Sequence, residues 1–390
     1  MALFYSGLAL FLIYVAILLS RRFGIPALIP IIFLGLFTKD FIHPEHLHFF
    51  VELGLILLFF FIGLEFNIEK LKSMTAKSWK AGIADFVINF FPPLGLALLF
   101  GFSFVEALFI ATIVYPSSTS IIAKLLIDYK RLINPETELI LGILIFEDIV
   151  AIVLVSILFG ITQGQVSPAH IIANIVLMFI VVGVSIVVGK IVLSRITHYL
   201  EKILTGGEDL ILLMLGLLLL VAGGFKLLGI SEVLGAFILG LMFGETPFAE
   251  EIEKSLNDLK ELSMAIFFYN FGASIPAINE LPNPIFLILL VILAIVGKII
   301  STYIGGLMAG YSPKLSLRAA LEMIPRGEFS IVVTAMAPKN LQPLSAIFVI
   351  TTAVIGSVIF IYAPKIVDKI FGKKSKKKKE VPDYLKDLVG

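Results

Sequence analysis

The sequence predicts an all-α integral membrane protein of thirteen transmembrane helices, twelve of them forming two inverted six-helix repeats. Three observations carry that expectation. The composition is extremely apolar, the basic residues fall in alternate connecting loops, and a proline interrupts the corresponding helix of each half.

Of 390 residues, 59% are hydrophobic and 15% charged, with a mean hydropathy of +1.04. A soluble domain carries about 45–50% apolar and about 25% charged residues, so the bilayer is the solvent here. The net charge of +1 at pH 7 carries no information about partners, because the charges are distributed unevenly; no nucleic acid is expected. With no cysteine, disulfides, zinc-finger spacings and thiol chemistry are excluded.

A spanning helix needs roughly 20 mostly apolar residues. Apolar runs between breaks give candidates at 2–20, 24–38, 49–65, 79–100, 103–127, 136–161, 168–196, 207–227, 230–245, 257–276, 283–310, 314–338 and 342–371. The second and ninth are short for a full crossing. The first has neither a basic leader nor a small-residue cleavage site, so it reads as a helix rather than a removable signal.

Loop charge tests the count. With the N-terminus outside, the inner loops hold Arg21 and Arg22, then Lys70, Lys72, Lys77 and Lys80, then Lys124, Lys130 and Arg131, and the same bias continues to the C-terminus. The opposite loops hold only Lys39, Lys226 and Lys339. A miscounted helix would invert this pattern midway. The N-terminus is therefore expected outside and the C-terminus, with the basic tail 372–390, in the cytoplasm. No regulatory nucleotide-binding module is expected after that tail.

The fifth run contains Tyr115-Pro116-Ser117-Ser118-Thr119-Ser120, and the twelfth contains Ile324-Pro325-Arg326-Gly327-Glu328. Proline removes a helical hydrogen bond and clashes with the preceding turn. Hydroxyls or glycine beside it indicate unwinding, tolerated at membrane depth only where protein or a watery cavity satisfies the backbone. Each interrupted helix is fifth in its set of six, with 168–196 as a linker that makes the second set enter from the opposite side. Matched discontinuous helices in inverted repeats point to a transporter site near the midplane.

Intramembrane charges mark ion pathways. Glu147 and Asp148 are adjacent in the sixth helix, Lys298 lies mid-depth in the eleventh, Glu322, Arg326 and Glu328 are in the twelfth, and Asp85 is in the fourth. Adjacent helical residues point about 100° apart, so one acid should face a cavity and the other a structural partner. Lys298 is the expected cation for that partner, as a buried pair with Glu147. Arg326 is expected to pair with Glu322, Glu328 or Asp85. His43, His46 and His48 have a spacing a metal accepts, but solvated loop histidines are the simpler reading.

Pro116-Ser117-Ser118-Thr119-Ser120, Phe146-Glu147-Asp148-Ile149, Lys298 and Arg326-Gly327-Glu328-Phe329 together resemble the monovalent cation:proton antiporter family 2, the Kef-type and NapA-type transporters. The resemblance spans the whole chain. It implies an NhaA/NapA-like antiporter fold with crossed discontinuous helices. It implies a homodimer in which a core (79–161 and 283–371) moves elevator-like against a scaffold (2–65 and 207–276). It makes Asp148 the ion- and proton-binding carboxylate, with Na⁺ held there and Ser118, Thr119 and backbone carbonyls nearby. Glu147 joins the ion- and proton-binding group, Lys298, Arg326, Glu328, Glu322 and Asp85 support it, and Pro116, Pro325 and Gly327 make the breaks.

Kef-type potassium antiporters carry Gln before the aspartate, and many sodium antiporters carry Asp. Glu147 stands closer to the latter, so exchange of Na⁺, or Li⁺, for protons across a prokaryotic plasma membrane is expected ahead of K⁺/H⁺ exchange of the Kef type. Coupling needs only a carboxylate that holds a proton or a cation but not both, and no cofactor. A cation channel and an organic-anion symporter are the rivals; lone acids at the midplane disfavour an anionic substrate. A membrane enzyme is not expected, since the helices hold no Ser/His or metal-binding constellation.

Overall fold

The computed structural model describes residues 2–23, 25–42, 47–65, 76–131, 133–162, 207–227, 232–244, 246, 248–275 and 283–372. The predicted linker helix 168–196, the basic tail beyond Gly372, and His43 and His46 lie outside them. Every regular element among the described residues is an α-helix. In order they are α1 (Ala2–Phe23), α2 (Leu28–Thr38), α3 (His48–Glu65), α4 (Ala76–Leu99), α5 (Phe104–Val114), α6 (Thr119–Asp128), α7 (Pro135–Thr162), α8 (Gly207–Leu227), α9 (Glu232–Gly244), α10 (Ala249–Ser274), α11 (Pro284–Met308), α12 (Pro313–Glu322), α13 (Glu328–Met336) and α14 (Gln342–Phe371).

Seven described segments are long and apolar enough to cross a membrane, fewer than the thirteen expected from sequence. One of the six others, 168–196, lies outside the described residues, and four fall short for a physical reason. At about 1.5 Å per residue, the 11 residues of α2 and 13 of α9 fall short of a hydrocarbon layer about 30 Å thick. The first half of α10 carries Glu250, Glu251, Glu253, Lys254, Asp258, Lys260 and Glu261, and the twelfth expected run is divided between α12 and α13.

Helix starts follow from local chemistry. Ser103 accepts from the Glu106 amide while Glu106 reaches back to the Ser103 amide, a capping box that starts α5. Ser118 caps α6 through the Ile121 amide; Asn283 before Pro284 and Ser312 before Pro313 start α11 and α12.

The expected breaks are present at Tyr115–Ser118 and Met323–Gly327. Other prolines leave their helices continuous: Pro92 and Pro93 lie inside α4, and Pro364 inside α14. Pro364 leaves the Phe360 carbonyl without its helical donor. Arg131 supplies the replacement, its Nη1 donating to that carbonyl at 2.7 Å and its Nη2 to the Ile361 carbonyl at 2.9 Å.

The helices pack chiefly in two groups. One holds α1–α3 with α8–α10; the other holds α4–α7 with α11–α14. Phe59 of α3 meets Phe329 of α13 edge to face between them, with ring centroids 5.6 Å apart.

Candidate functional site

The two breaks lie against each other, and each completes the other's backbone. A helix that stops leaves carbonyls at its C-terminal end and amides at its N-terminal end without partners. At the end of α5, the Ile113 carbonyl accepts from Ser330 Oγ at 2.7 Å and the Val114 carbonyl from Arg326 Nε at 2.6 Å. Beyond the end of α12, the Met323 carbonyl accepts from Ser117 Oγ at 2.9 Å and the Pro325 carbonyl from the Ser118 amide at 2.8 Å. The crossing requires glycine twice. A Cβ on Gly327 would overlap the Ser118 side chain, and one on Gly356 of α14 would sit 2.6 Å from Pro325 N.

Arg326 and Glu328 flank Gly327 with opposite tasks. The guanidinium, fully buried, lies at the carbonyl ends of α5 and α12, where a helix dipole favours positive charge; its Nη1 also donates to the Ile324 carbonyl at 3.1 Å. Glu328 lies at the amino end of α6, accepting from the Ser120 amide at 2.9 Å, Ser120 Oγ at 3.0 Å and Ser118 Oγ at 2.6 Å. This corrects the expected pairing of Arg326. Among the described residues no carboxylate lies within ion-pair distance of it, because helix-end carbonyls supply the negative partner. Glu322 instead pairs with Arg131 at 2.7 Å and with Arg318 at 3.5 Å.

The expected pair of Glu147 and Lys298 is present at 2.8 Å, with both side chains fully buried. Lys298 Nζ also lies 3.0 and 2.8 Å from the two carboxylate oxygens of Asp85. Asp85 Oδ1 further accepts from Ser301 Oγ at 2.7 Å and Asn89 Nδ2 at 2.9 Å. Glu147 Oε2 accepts from the Ser117 amide, which ties the pair to the first break. Three helices, α4, α7 and α11, thus meet on one ammonium group.

Asp148 points elsewhere. It is half-buried where Glu147 is buried, and Thr119 Oγ1, in the first turn of α6, lies 3.3 and 3.4 Å from its two oxygens. The α-helical rotation between neighbours divides the two acids as their adjacency implied. Ser117, Ser120, Asn89, Ser301 and Arg131 were not anticipated as site residues. Spacing offered a signal for two of them: Asn89 is one turn from Asp85, and Ser301 is one turn from Lys298.

Two interrupted helices that cross at a cluster of buried charges, inside a multi-pass helical membrane protein, define a secondary transporter. Residues 7–364 match the family described as sodium/hydrogen exchanger, transmembrane, and the chain belongs to that family of monovalent cation:proton antiporters. It is 34% identical over 377 residues to the ammonium/H⁺ antiporter subunit AmhT of Alkalihalophilus pseudofirmus, covering 96% of each chain. To the K⁺/H⁺ antiporter subunit KhtU of Bacillus subtilis it is 33% identical over 335 residues, covering 84% of this chain and 82% of that one. The sodium proton antiporter MjNhaP1 of Methanocaldococcus jannaschii shares the fold, with a TM-score of 0.69 at 21% identity over 96% of this chain and 99% of that one.

Proposed function

We propose that this protein exchanges a monovalent cation for protons, with Asp148 as the carboxylate for which the two compete. The observation that carries this reading is the division of labour between neighbours: Glu147 is buried against Lys298, while Asp148 stays partly exposed beside Thr119 at the start of α6. A carboxylate there holds a proton or a cation, one at a time. An empty charged site is costly to carry through hydrocarbon, so movement follows neutralisation and the two flows are coupled.

The reading extends to architecture. Helices α4–α7 and α11–α14 form the moving core, and α1–α3 and α8–α10 the scaffold and homodimer contact. The apolar contact of Phe59 with Phe329 suits an elevator-like slide, since two rings can pass without an ion pair to break between them. The protein lies in a prokaryotic plasma membrane, N-terminus outside and C-terminus in the cytoplasm. Ser118 holds Glu328, and Pro116, Pro325 and Gly327 keep both breaks open.

Selectivity read from Glu147 alone favoured Na⁺ or Li⁺. Glu147 is committed to Lys298 and the Ser117 amide, which leaves Asp148, half-buried beside the Thr119 hydroxyl, as the acid of the pair placed to meet a cation. Fewer charged oxygens make a weaker field, which suits a cation that loses its water easily. We therefore place K⁺ or NH₄⁺ first, in keeping with the names of two relatives above 30% identity. Na⁺ and Li⁺ are the second reading, favoured by the family description and by a Na⁺/H⁺ antiporter of Enterococcus hirae that is 26% identical.

The test is reconstitution of the whole chain into vesicles holding a pH-sensitive dye, with pulses of K⁺, NH₄⁺, Na⁺ and Li⁺. K⁺ should move protons in the wild type, while a folded Asp148→Asn variant should give no cation-driven signal above that of empty vesicles. Retained exchange in Asp148→Asn would refute the site. A response to Na⁺ and Li⁺ with none to K⁺ would put the second reading first.

A further inference from the structure

We propose that Asp85 holds Lys298 as a permanent cation, so that the exchange moves no net charge: one proton against one monovalent cation. This rests on the exchange reading above and adds its stoichiometry. An ammonium group has three protons to donate, and those of Lys298 have places waiting. Both oxygens of Asp85 and one of Glu147 lie within 3.0 Å of Nζ, with the Tyr115 carbonyl at 3.4 Å.

Asp85 is placed to remain an anion. Lys298, Ser301 and Asn89 all donate to it, and a carboxylic acid in that position would bring a proton into contact with one of theirs. Its other donors are neutral, so among the described residues Lys298 is its one cation within ion-pair distance. An unprotonated Lys298 would strand a buried carboxylate, which is strongly unfavourable. Glu147 alone would leave the lysine in a simple pair, able to hand its proton to a neighbour at little cost. The second acid removes that freedom.

The count of charges supports the same conclusion. Ser117 Oγ stands 3.3 Å from both Glu147 Oε1 and Arg326 Nη1, linking the guanidinium to the cluster. Asp85 and Glu147 against Lys298 and Arg326 are two anions and two cations, all buried; the buried carboxylate of Glu328 lies outside this set, on Ser118 and Ser120. The quartet is balanced before any substrate arrives and has no call for another ion. Each turn of the cycle then replaces the proton on Asp148 by one cation, and the proton leaves on the side from which the cation came.

A null-point measurement reads this directly. Vesicles containing the whole chain are given a tenfold gradient of whichever of K⁺ or Na⁺ drives protons, and the pH gradient that stops net proton flow is found. One-for-one exchange balances at about one pH unit, because each tenfold ratio is worth the same free energy for either ion, whereas two protons per cation balance at about half a unit. The permeant anion thiocyanate, which dissipates membrane potential without carrying either cation, should leave the wild-type rate unchanged. Asp85→Asn should move the null point toward half a unit and make the rate thiocyanate-dependent; Asp85→Glu should restore one-for-one behaviour. A wild-type null point at half a unit would overturn the inference even if no variant folds. A folded Asp85→Asn that keeps the one-unit null point would overturn the role of Asp85. Absence of any cation-driven proton flow would instead remove the exchange reading underneath.

Discussion

The two groups of helices are held together by different means. Around Lys298, α4, α7 and α11 meet through ion pairs and hydrogen bonds, and the crossed breaks exchange backbone partners. Around Gly63, α3 and α9 meet through shape. A Cβ on Gly63 would overlap the Phe237 carbonyl, and one on Gly240 the Phe60 carbonyl, so the backbones touch reciprocally. The same holds where Gly35 of α2 faces Tyr269 of α10 and Gly272 faces Ile32. Between helices in lipid the hydrophobic effect offers little drive, and close packing of small residues takes its place. The difference teaches how each region tolerates change: a charge removed from the first can be compensated by removing its partner, whereas a methyl added to the second has no such remedy.

The sharpest way to break that comparison is Lys298→Gln. It strands Asp85 and Glu147 together, should abolish exchange, and should lower stability by about 3–5 kcal/mol, read as thermal unfolding in detergent. Adding Asp85→Asn should recover more stability than adding Glu147→Gln. Glu147 retains the Ser117 amide and Arg326 across Ser117, while Asp85 has no second cation among the described residues. If Glu147→Gln is the better rescue, the lysine belongs to Glu147 and the weight placed on Asp85 is misplaced.

Next in size are the glycines. Gly63→Ala and Gly240→Ala should each cost about 1–3 kcal/mol, the range for overfilling a close-packed contact. Gly216→Ala in α8, where a Cβ meets nothing within 4 Å, is the control and should leave unfolding unchanged. Equal effects at all three would mean that shape does not hold the first group together.

The smallest effect tests whether a partner can be replaced by repairing its cause. Arg131→Lys keeps a cation for Glu322 but cannot serve both carbonyls of α14, a loss of about 1 kcal/mol for one hydrogen bond. Pro364→Ala gives the Phe360 carbonyl a helical donor again and should absorb part of that loss in the double variant. An additive double variant would show that Arg131 acts on Glu322 alone.

Much of the candidate site was legible because buried charge and proline are rare in membrane helices and so carry information singly. Glu147, Asp148, Lys298 and both breaks were readable on that ground. Asp85 was seen as a charge but not as the second acid on Lys298, because its partner lies 213 positions away along the chain. Arg131 was read as a loop cation that orients the chain, since nothing local ties it to the carbonyls near Pro364. Pro92 and Pro93 carry the same signal as Pro116, yet α4 runs through them unbroken.

By itself the sequence determined the solvent and the helical class, because hydropathy acts locally and additively along a chain. It also determined that Glu147 and Asp148 face different ways, since helical rotation alone separates neighbours. Only the tertiary structure decided who faces whom: that Lys298 is shared by two acids, that Arg326 spends its charge on helix-end carbonyls, and that each break is capped by the other. Those choices depend on which helices cross and at what height, and a pattern repeating every few residues holds no record of contacts made hundreds of residues apart.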